Sequence, residues 1–338
     1  MKYNFIGRSG LRVSPVCLGT MTFGSSCDRQ TAFRIMDKAY EAGINFFDTA
    51  EIYPVPPKSE TVGITEKIVG EWLKSKPRGS IILATKVAGA SSGWFVPPIR
   101  HGLTAIDRHH IQTAVEGSLK RLQTDYIDLY QMHWPDTVVP KQESMAAFDE
   151  LVRSGKVRYL GTSNDTAYGT TKANTICEYL GYSRFESIQN NFSLLNRRFL
   201  DEMVEMCKKE NISLLPYSPM AGGVLSGKYN LDEQADGRFT RYAASPEKRV
   251  RKMVKRFLNE KTLQSTAKYM EIAKELGISP ATLAVAWSRQ FDFVASTIIG
   301  ANNEKQLDDS IAAMNIQLDR ETMRKCDQIH QEILYPMG

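Results

Sequence analysis

The chain has 338 residues, of which 42% are apolar and 24% are charged, and it carries a net charge of +5 at pH 7. This composition is typical of a globular enzyme with one large domain or two average ones, and the small charge excess does not indicate a nucleic-acid partner. The five cysteines are scattered and contain no C-x-x-C pair, so neither a disulfide framework nor a zinc site is indicated.

Targeting and metal-binding patterns are also missing from the sequence. The first nine residues contain no apolar core of a signal peptide, and no run of about 18 apolar residues occurs. The five histidines show no metal-type pairing with cysteine or carboxylate side chains. We therefore expect a cytoplasmic protein without a metal site and without a membrane partner.

The chain begins with the pattern of a small hairpin and continues with alternating strands and helices. Residues 3–6 and 11–13 flank a Gly-rich turn, which is typical of two short antiparallel strands. The next strand, residues 16–18, ends in Gly19-Thr20-Met21, and a helix capped by Asp28 follows it. Further strands are predicted at 46–48, 81–86, 126–132, 157–160, 187–189, 212–215 and 294–299. Further helices are predicted at 61–73, 111–122, 145–153, 170–180, 199–209, 249–259, 262–276, 281–289, 306–314 and 320–332, and loops at 88–105 and 221–241.

This order of elements predicts an α/β fold. Each helix serves as a crossover, so the strands are expected to be parallel, and eight such units in about 300 residues fit a closed barrel. An open doubly wound sheet would carry a G-x-G-x-x-G phosphate loop after its first strand, and residues 19–24 do not supply one. We predict a single domain over residues 1–338, a (β/α)8 TIM barrel with an N-terminal β-hairpin and an extra C-terminal helix.

Four polar residues stand at the ends of three successive predicted strands: Asp48 with Tyr53, then Lys86, then His133. A barrel places its active site at these carboxyl ends. A lysine that closes a buried strand needs an anion, and Asp48 on the neighbouring strand can supply it. The ammonium group would lower the pKa of the Tyr53 phenol from its ordinary value of about 10. Tyr53 could then protonate a carbonyl oxygen that His133 orients.

Each of these residues also has a plainer explanation. Lys86 and Asp48 could form an ordinary buried ion pair, and His133 could be a satisfied core histidine. Lys86 could alternatively form a Schiff base, as in barrel aldolases. The catalytic interpretation is favoured because four suitable groups coincide at the same end of three neighbouring strands.

Several motifs carry a resemblance to a known family. They are residues 48–57, 118–126 (SLKRLQTDY), 131–135 (QMHWP), 193–197 (SLLNR) and 294–297 (VAST). With them the chain resembles the aldo-keto reductases from residue 4 to the region of residue 329, most closely the bacterial Tas-like branch, which is related to the potassium-channel β subunits. The family has a catalytic tetrad of Asp, Tyr, Lys and His, and the four residues at the predicted strand ends match it.

The resemblance also implies a reduced nicotinamide cofactor, NADPH (NADP+), bound without a Rossmann fold. Ser163, Asn164 and Gln189 match the residues that hydrogen-bond the carboxamide. Tyr217 matches the aromatic residue that stacks on the nicotinamide; without the resemblance it would be interpreted as a core ring. The other matching cofactor positions are Gly19, Thr20, Met21, Ser218, Gly222, Leu225, Gly227, Lys228, Arg238, Gly300, Asn302, Gln306 and Asp309.

Within this set, Lys228 and Arg238 are expected to be the cationic partners of the pyrophosphate. Arg238 with Asn302 and Gln306 would contact the 2′-phosphate, which favours NADPH over NADH. The resemblance thus implies hydride transfer to a small carbonyl substrate, in an apolar pocket that we expect to be lined by the aromatic side chains Phe23, Trp94 and Trp134. The rival interpretation is a nicotinamide-binding redox sensor or regulatory subunit with little turnover, and the oligomeric state is left open.

Overall fold

The computed structural model describes residues 2–91 and 100–337, which contain a parallel eight-stranded sheet preceded by an antiparallel hairpin. The hairpin strands are β1 (Asn4–Phe5) and β2 (Arg12–Val13). The parallel strands are β3 (Val16–Gly19), β4 (Phe46–Asp48), β5 (Ile82–Val87), β6 (Ile127–Met132), β7 (Val157–Ser163), β8 (Phe185–Gln189), β9 (Ser213–Leu214) and β10 (Thr297–Ile299).

Helices follow the strands along the chain and surround the sheet. They are α1 (Arg29–Glu41), α2 (Ile64–Leu73), α3 (Arg108–Leu122), α4 (Lys141–Arg153), α5 (Ala167–Leu180), α6 (Met203–Glu210), α7 (Lys228–Leu231), α8 (Arg238–Ala243), α9 (Lys248–Phe257), α10 (Glu260–Glu275), α11 (Pro280–Arg289), α12 (Lys305–Ala313) and α13 (Arg320–Glu332). Among the helices of the described ranges, none has the length and apolarity needed to cross a membrane.

The parallel sheet closes into a barrel. Its strands are hydrogen-bonded in the order β10-β3-β4-β5-β6-β7-β8-β9. Backbone hydrogen bonds then join the two ends, because the N–H of Leu214 donates to the carbonyl of Phe293 and the N–H of Ile298 donates to the carbonyl of Pro216, each at 2.8 Å. The predicted (β/α)8 barrel is therefore confirmed, and α13 is its extra C-terminal helix.

The first helix shows how local sequence signals set the element boundaries. The side chain of Asp28 caps α1 by accepting a hydrogen bond from the backbone N–H of Thr31 at 2.9 Å. The apolar face of α1, which includes Ala32, Ile35 and Met36, is buried in the main hydrophobic core around the barrel. This packing holds α1 against the sheet and directs the chain into β4.

The N-terminal hairpin covers the amino end of the barrel. The N–H of Gly7 donates to Ser213 Oγ, and the N–H of Arg8 donates to Glu186 Oε2, both at 2.8 Å. Both acceptors lie at the start of their strands, β9 and β8. Apolar hairpin residues, among them Ile6, pack with inward-facing side chains of the barrel interior. The end of the barrel that carries the strand carboxyl termini is therefore the end available for a site.

The region 221–241, predicted as a loop, contains short helices. A 3-10 turn covers Ala221–Ser226, and α7 and α8 follow with four and six residues. Phe239 of α8 is buried and stacks on Phe257 of α9, with ring centroids 5.0 Å apart. Helices this short show no clear hydrophobic period, so the tertiary packing of an aromatic side chain determines them.

Candidate active site

A buried ion pair joins the ends of β4 and β5. Lys86 Nζ donates to Asp48 Oδ1 at 2.5 Å and to the carbonyl of Thr49 at 2.8 Å. Burial alone would lower the pKa of Lys86, but the charge of Asp48 and the neighbouring Tyr53 raise it above its ordinary value. The lysine is therefore an ammonium group, as predicted, and its charge is compensated by Asp48.

The second oxygen of Asp48 is occupied by two amide side chains. Gln131 Nε2 donates to Asp48 Oδ2 at 3.0 Å, and Gln189 Nε2 donates to the same oxygen at 2.9 Å. Gln131 belongs to the motif 131–135 but was not among the predicted site residues. It lies two residues before His133, and side chains two residues apart in a strand point to the same side. That spacing was the signal that could have identified it.

Tyr53 lies beyond β4, with its ring beside the ion pair. Lys86 Nζ is 5.1 Å from the ring centroid. Burial raises the pKa of Tyr53 above its ordinary value, although Lys86 acts in the opposite direction. The expected lowering by Lys86 is thus present, but the expectation of a lowered net pKa is wrong because the phenol is too deeply buried. Tyr53 is a protonated donor at neutral pH.

His133 follows β6 and faces Tyr53. The two rings meet edge to face with centroids 5.7 Å apart. Burial, and then the positive charge of Lys86, hold the pKa of His133 well below its ordinary value, so the imidazole is neutral. Among the described residues, its buried Nδ1 finds no hydrogen-bond partner. A neutral imidazole can donate a hydrogen bond through one ring nitrogen, so it can orient a carbonyl oxygen without adding a charge.

The residues predicted to hold the carboxamide and the nicotinamide ring come together beside this group. Tyr217 Oη donates to Asn164 Oδ1 at 2.8 Å, and Ser163 Oγ donates to the carbonyl of Gln189 at 2.7 Å. Asn164 Nδ2 also donates to the carbonyl of His133 at 2.9 Å, which connects this cluster to the predicted tetrad. Hydroxyl and amide groups of this kind can both donate to and accept from a carboxamide.

The segment 221–241 carries the two predicted cations, Lys228 and Arg238. Lys228 is half-buried, which lowers its pKa, and its Nζ donates to the carbonyl of Asp236 at 2.9 Å. Arg238 is near enough to Tyr53 to favour the ionised phenol. Gly222 has φ 67°, and an added Cβ would lie 2.6 Å from Phe239 Cζ. Cations and a backbone turn without a side chain fit the phosphates of a dinucleotide.

The predicted adenosine residues lie in the turn after β10 and on α12, next to the turn after β3. Ser26 Oγ donates to Asn302 Oδ1 at 3.2 Å, and the N–H of Asn302 donates to Gln306 Oε1 at 2.8 Å. Asp309 differs, because it accepts from Ser279 Oγ at 2.6 Å, at the start of α11. Its carboxylate is therefore engaged in holding two helices together. Remaining members of the predicted set are Gly19, Thr20 and Met21 at the end of β3, Ser218 after β9, Leu225 and Gly227 in segment 221–241, and Gly300 after β10.

Comparison with known proteins decides the family. A sequence model described as "Aldo/keto reductase family" matches residues 15–331. The chain belongs to the aldo/keto reductase family. It is therefore an oxidoreductase of a group that acts on carbonyl compounds.

Three proteins with different descriptions are similar to this aldo/keto reductase over most of their length. Protein tas of Escherichia coli (strain K12) is 38% identical, with 99% of each chain covered. A probable voltage-gated potassium channel subunit beta of Oryza sativa is 33% identical, over 94% of this chain and 92% of that one. Norsolorinic acid reductase of Emericella nidulans is 31% identical, over 98% of this chain and 82% of that one. The resemblance to the Tas-like branch and to the channel β subunits is confirmed.

In this aldo/keto reductase an apolar cluster surrounds Tyr53. It comprises Ala50, Ile52, Ala88, Met21, Val55 and Trp134. The expectation that Phe23 lines the same pocket is wrong, because its ring is fully buried in the main hydrophobic core, where its carbonyl accepts from Thr65 Oγ1 at 2.7 Å. Trp94 lies outside the described residues. Met21 and Val55 are among the apolar side chains that pack near Tyr53.

Proposed function

We propose that this aldo/keto reductase uses NADPH to reduce an aldehyde or ketone to the alcohol, with Tyr53 as the proton donor. The observation that supports this most directly is the arrangement of Lys86, whose ammonium group is bonded to Asp48 and adjoins the Tyr53 ring. It places a fixed cation beside a protonated phenol that faces a neutral imidazole and is surrounded by an apolar cluster.

Each residue has a defined part in the proposed reaction. Tyr53 gives its hydroxyl proton to the carbonyl oxygen, and the Lys86 ammonium stabilises the negative charge left on the phenol oxygen. Asp48 keeps Lys86 in place, and His133 hydrogen-bonds the carbonyl oxygen so that the carbon faces the cofactor. Reduced nicotinamide, when bound, supplies the hydride that reaches this carbon.

Binding of the cofactor is assigned to the polar cluster and the neighbouring loops. Ser163, Asn164 and Gln189 would hold the carboxamide, and Tyr217 would stack on the nicotinamide ring. Arg238 would contact phosphate. Lys228 would be the second cationic partner of the pyrophosphate. With Asn302 and Gln306, Arg238 would also discriminate NADPH from NADH.

The experiment is a titration of the purified protein with NADPH, followed by addition of 4-nitrobenzaldehyde. We expect tight binding and then oxidation of NADPH, and we expect Tyr53→Phe to bind NADPH but to lose nearly all turnover. Full turnover by Tyr53→Phe would contradict the acid role. Failure of the wild-type protein to bind NADPH would contradict the cofactor assignment.

A second candidate function is that of a nicotinamide-binding sensor or regulatory subunit, because one relative is described as a potassium-channel β subunit. The same titration separates the two functions: a sensor binds NADPH but oxidises it very slowly with model aldehydes. The third interpretation, a Schiff-base aldolase, is disfavoured because Lys86 has a raised pKa, whereas a nucleophilic amine must be unprotonated.

A further inference from the structure

Gln131 occupies a central position in the barrel that the proposed reaction does not yet explain. It lies on β6, where it pairs in register with Lys86 of β5 on one side and with Gly161 of β7 on the other. Its side chain is fully buried. A buried primary amide is costly unless its donors and acceptor are bonded, so its contacts indicate what it is for.

Those contacts form a closed triangle with Asp48 and Gln189. Gln131 Nε2 donates to Asp48 Oδ2 at 3.0 Å, and Gln131 Oε1 accepts from Gln189 Nε2 at 3.2 Å. Gln189 Nε2 donates in turn to Asp48 Oδ2 at 2.9 Å. One amide therefore contacts both the carboxylate that holds Lys86 and the amide proposed to bind the carboxamide.

The neighbouring strand leaves room for this side chain. A Cβ added to Gly161 would lie 3.1 Å from Gln131 Cγ and 2.5 Å from Ser187 Oγ. An alanine at this position would force Ser187 to shift and would press against Gln131. The lack of a side chain on β7 thus permits Gln131 to extend across the barrel toward Asp48.

We propose that Gln131 is a positioning residue that couples the proton-donating group to the nicotinamide site. By occupying Asp48 Oδ2, it directs Oδ1 toward Lys86. Gln131 Oε1 also accepts a hydrogen bond from Gln189 Nε2, which holds this nitrogen among the buried side chains. The side-chain oxygen of Gln189 is then the atom that can accept a hydrogen bond from a carboxamide. This inference rests on the proposed reductase function, and Gln131 itself touches neither substrate nor cofactor.

The first test replaces the amide by an apolar side chain of similar length, Gln131→Met. NADPH and 2′-phospho-ADP-ribose, which lacks the nicotinamide, are titrated against both proteins. We expect the Kd of NADPH to rise about tenfold, as for the loss of a bond to a charged group, while the Kd of the analogue changes less than about twofold. We also expect kcat to fall about tenfold, with KM for 4-nitrobenzaldehyde little changed.

The matched control is Gln290→Met. Gln290 is half-buried at the end of α11 and also makes two amide hydrogen bonds, to the carbonyl and the N–H of Leu318 at 2.6 and 2.8 Å. Its loss should lower the melting temperature without changing the ratio of the two Kd values. A purely structural Gln131 would behave in the same way as Gln290.

The second test, Gln131→Glu, keeps the shape and adds a titratable group that faces Asp48 of β4 and Lys86 of β5. Two carboxyl groups this close retain one proton between them at low pH. The protonated group can donate to Asp48 as the native amide does, so kcat relative to wild type should rise as the pH is lowered from 8.5 to 5.5. The relative kcat of Gln131→Met should show no such trend.

The possible outcomes separate this inference from the proposed function. A folded Gln131→Met with kcat and both Kd values within about twofold of wild type would overturn it, as would identical pH profiles for the two variants. If Gln131→Met does not fold, the positioning role of Gln131 is tested by Gln131→Glu alone. A relative kcat that does not rise as the pH is lowered would then overturn it. If the wild-type protein binds NADPH without turnover, the reductase proposal fails. The role of Gln131 at the nicotinamide site is then tested only by the ratio of the Kd of NADPH to the Kd of 2′-phospho-ADP-ribose. If NADPH does not bind at all, both proposals are overturned.

Discussion

Glu51 Oε1 accepts a hydrogen bond from the backbone N–H of Ala88 at 2.6 Å. Glu51 lies between Asp48 and Tyr53 in sequence, and Ala88 follows Lys86 just beyond β5. The backbone N–H of Glu51 also donates to the carbonyl of Lys86 at 3.3 Å. These two bonds join the loop of the proposed acid to the strand of its cation, and they set the distance between them.

Glu51→Ala is expected to remove the hydrogen bond between Glu51 and the backbone of Ala88. The N–H of Ala88 would be buried without its acceptor, which costs about 1–3 kcal/mol of the free energy of unfolding, measured with urea. We expect kcat to fall more than KM changes, because Tyr53 would be held less firmly beside Lys86. Glu51→Gln keeps an acceptor oxygen, so its free energy of unfolding and its kcat should both fall less than those of Glu51→Ala. Wild-type kcat in Glu51→Ala would refute the positioning role.

Removal of one member of the buried ion pair should destabilise the fold. Asp48→Asn leaves the Lys86 ammonium buried without its countercharge, and we expect a loss of about 3–5 kcal/mol in the free energy of unfolding at pH 7. The double variant Asp48→Asn, Lys86→Met should recover part of that stability but no turnover. Equal stabilities of the single and double variants would show that the lysine charge is not the cause.

The lowered pKa of His133 makes stability depend on pH. The folded protein binds this proton less tightly than the unfolded chain, whose histidines titrate near 6.5. The stabilisation is therefore complete above pH 6.5 and is lost as the pH falls below it, by up to about 1.4 kcal/mol per pH unit. Urea unfolding at pH 7.5, 6.5 and 5.5 should show a smaller slope for His133→Gln. His109, which is exposed, is replaced in the same way to control for the loss of a histidine as such.

Gly222→Ala is expected to impair cofactor binding more than turnover. Its φ of 67° and the 2.6 Å approach of a new Cβ to Phe239 would displace the segment 221–241. We expect the Kd of NADPH to rise about tenfold, and kcat at saturating NADPH to change little. Gly181→Ala is a matched control, since Gly181 has φ 69° but no atom within 4 Å of the added Cβ. Similar NADPH affinities of the two variants would exclude a role for the Phe239 contact.

Much of the fold and part of the site followed from local patterns in the sequence. Apolar runs of strand length alternate with amphipathic helices, and that order predicts parallel strands and a barrel because crossovers leave few alternatives. The strand-end positions of Asp48, Lys86 and His133 followed from the same reasoning, since polar residues that close buried strands meet at one end of a barrel. Tyr53 was predicted because it is a phenol on the loop that follows the strand ending at Asp48, and the family motif agreed with it.

The tertiary structure alone decided which of these groups touch and how strongly they interact. The period of a strand shows that Gln131 points inward, but its contact with Asp48 depends on the stagger of three strands around a closed barrel. Phe23 was misplaced because apolar residues next to a site and apolar residues of the core look alike in sequence. The raised pKa of Tyr53 depends on the depth of burial outweighing the charge of Lys86, and only the packed structure sets that balance.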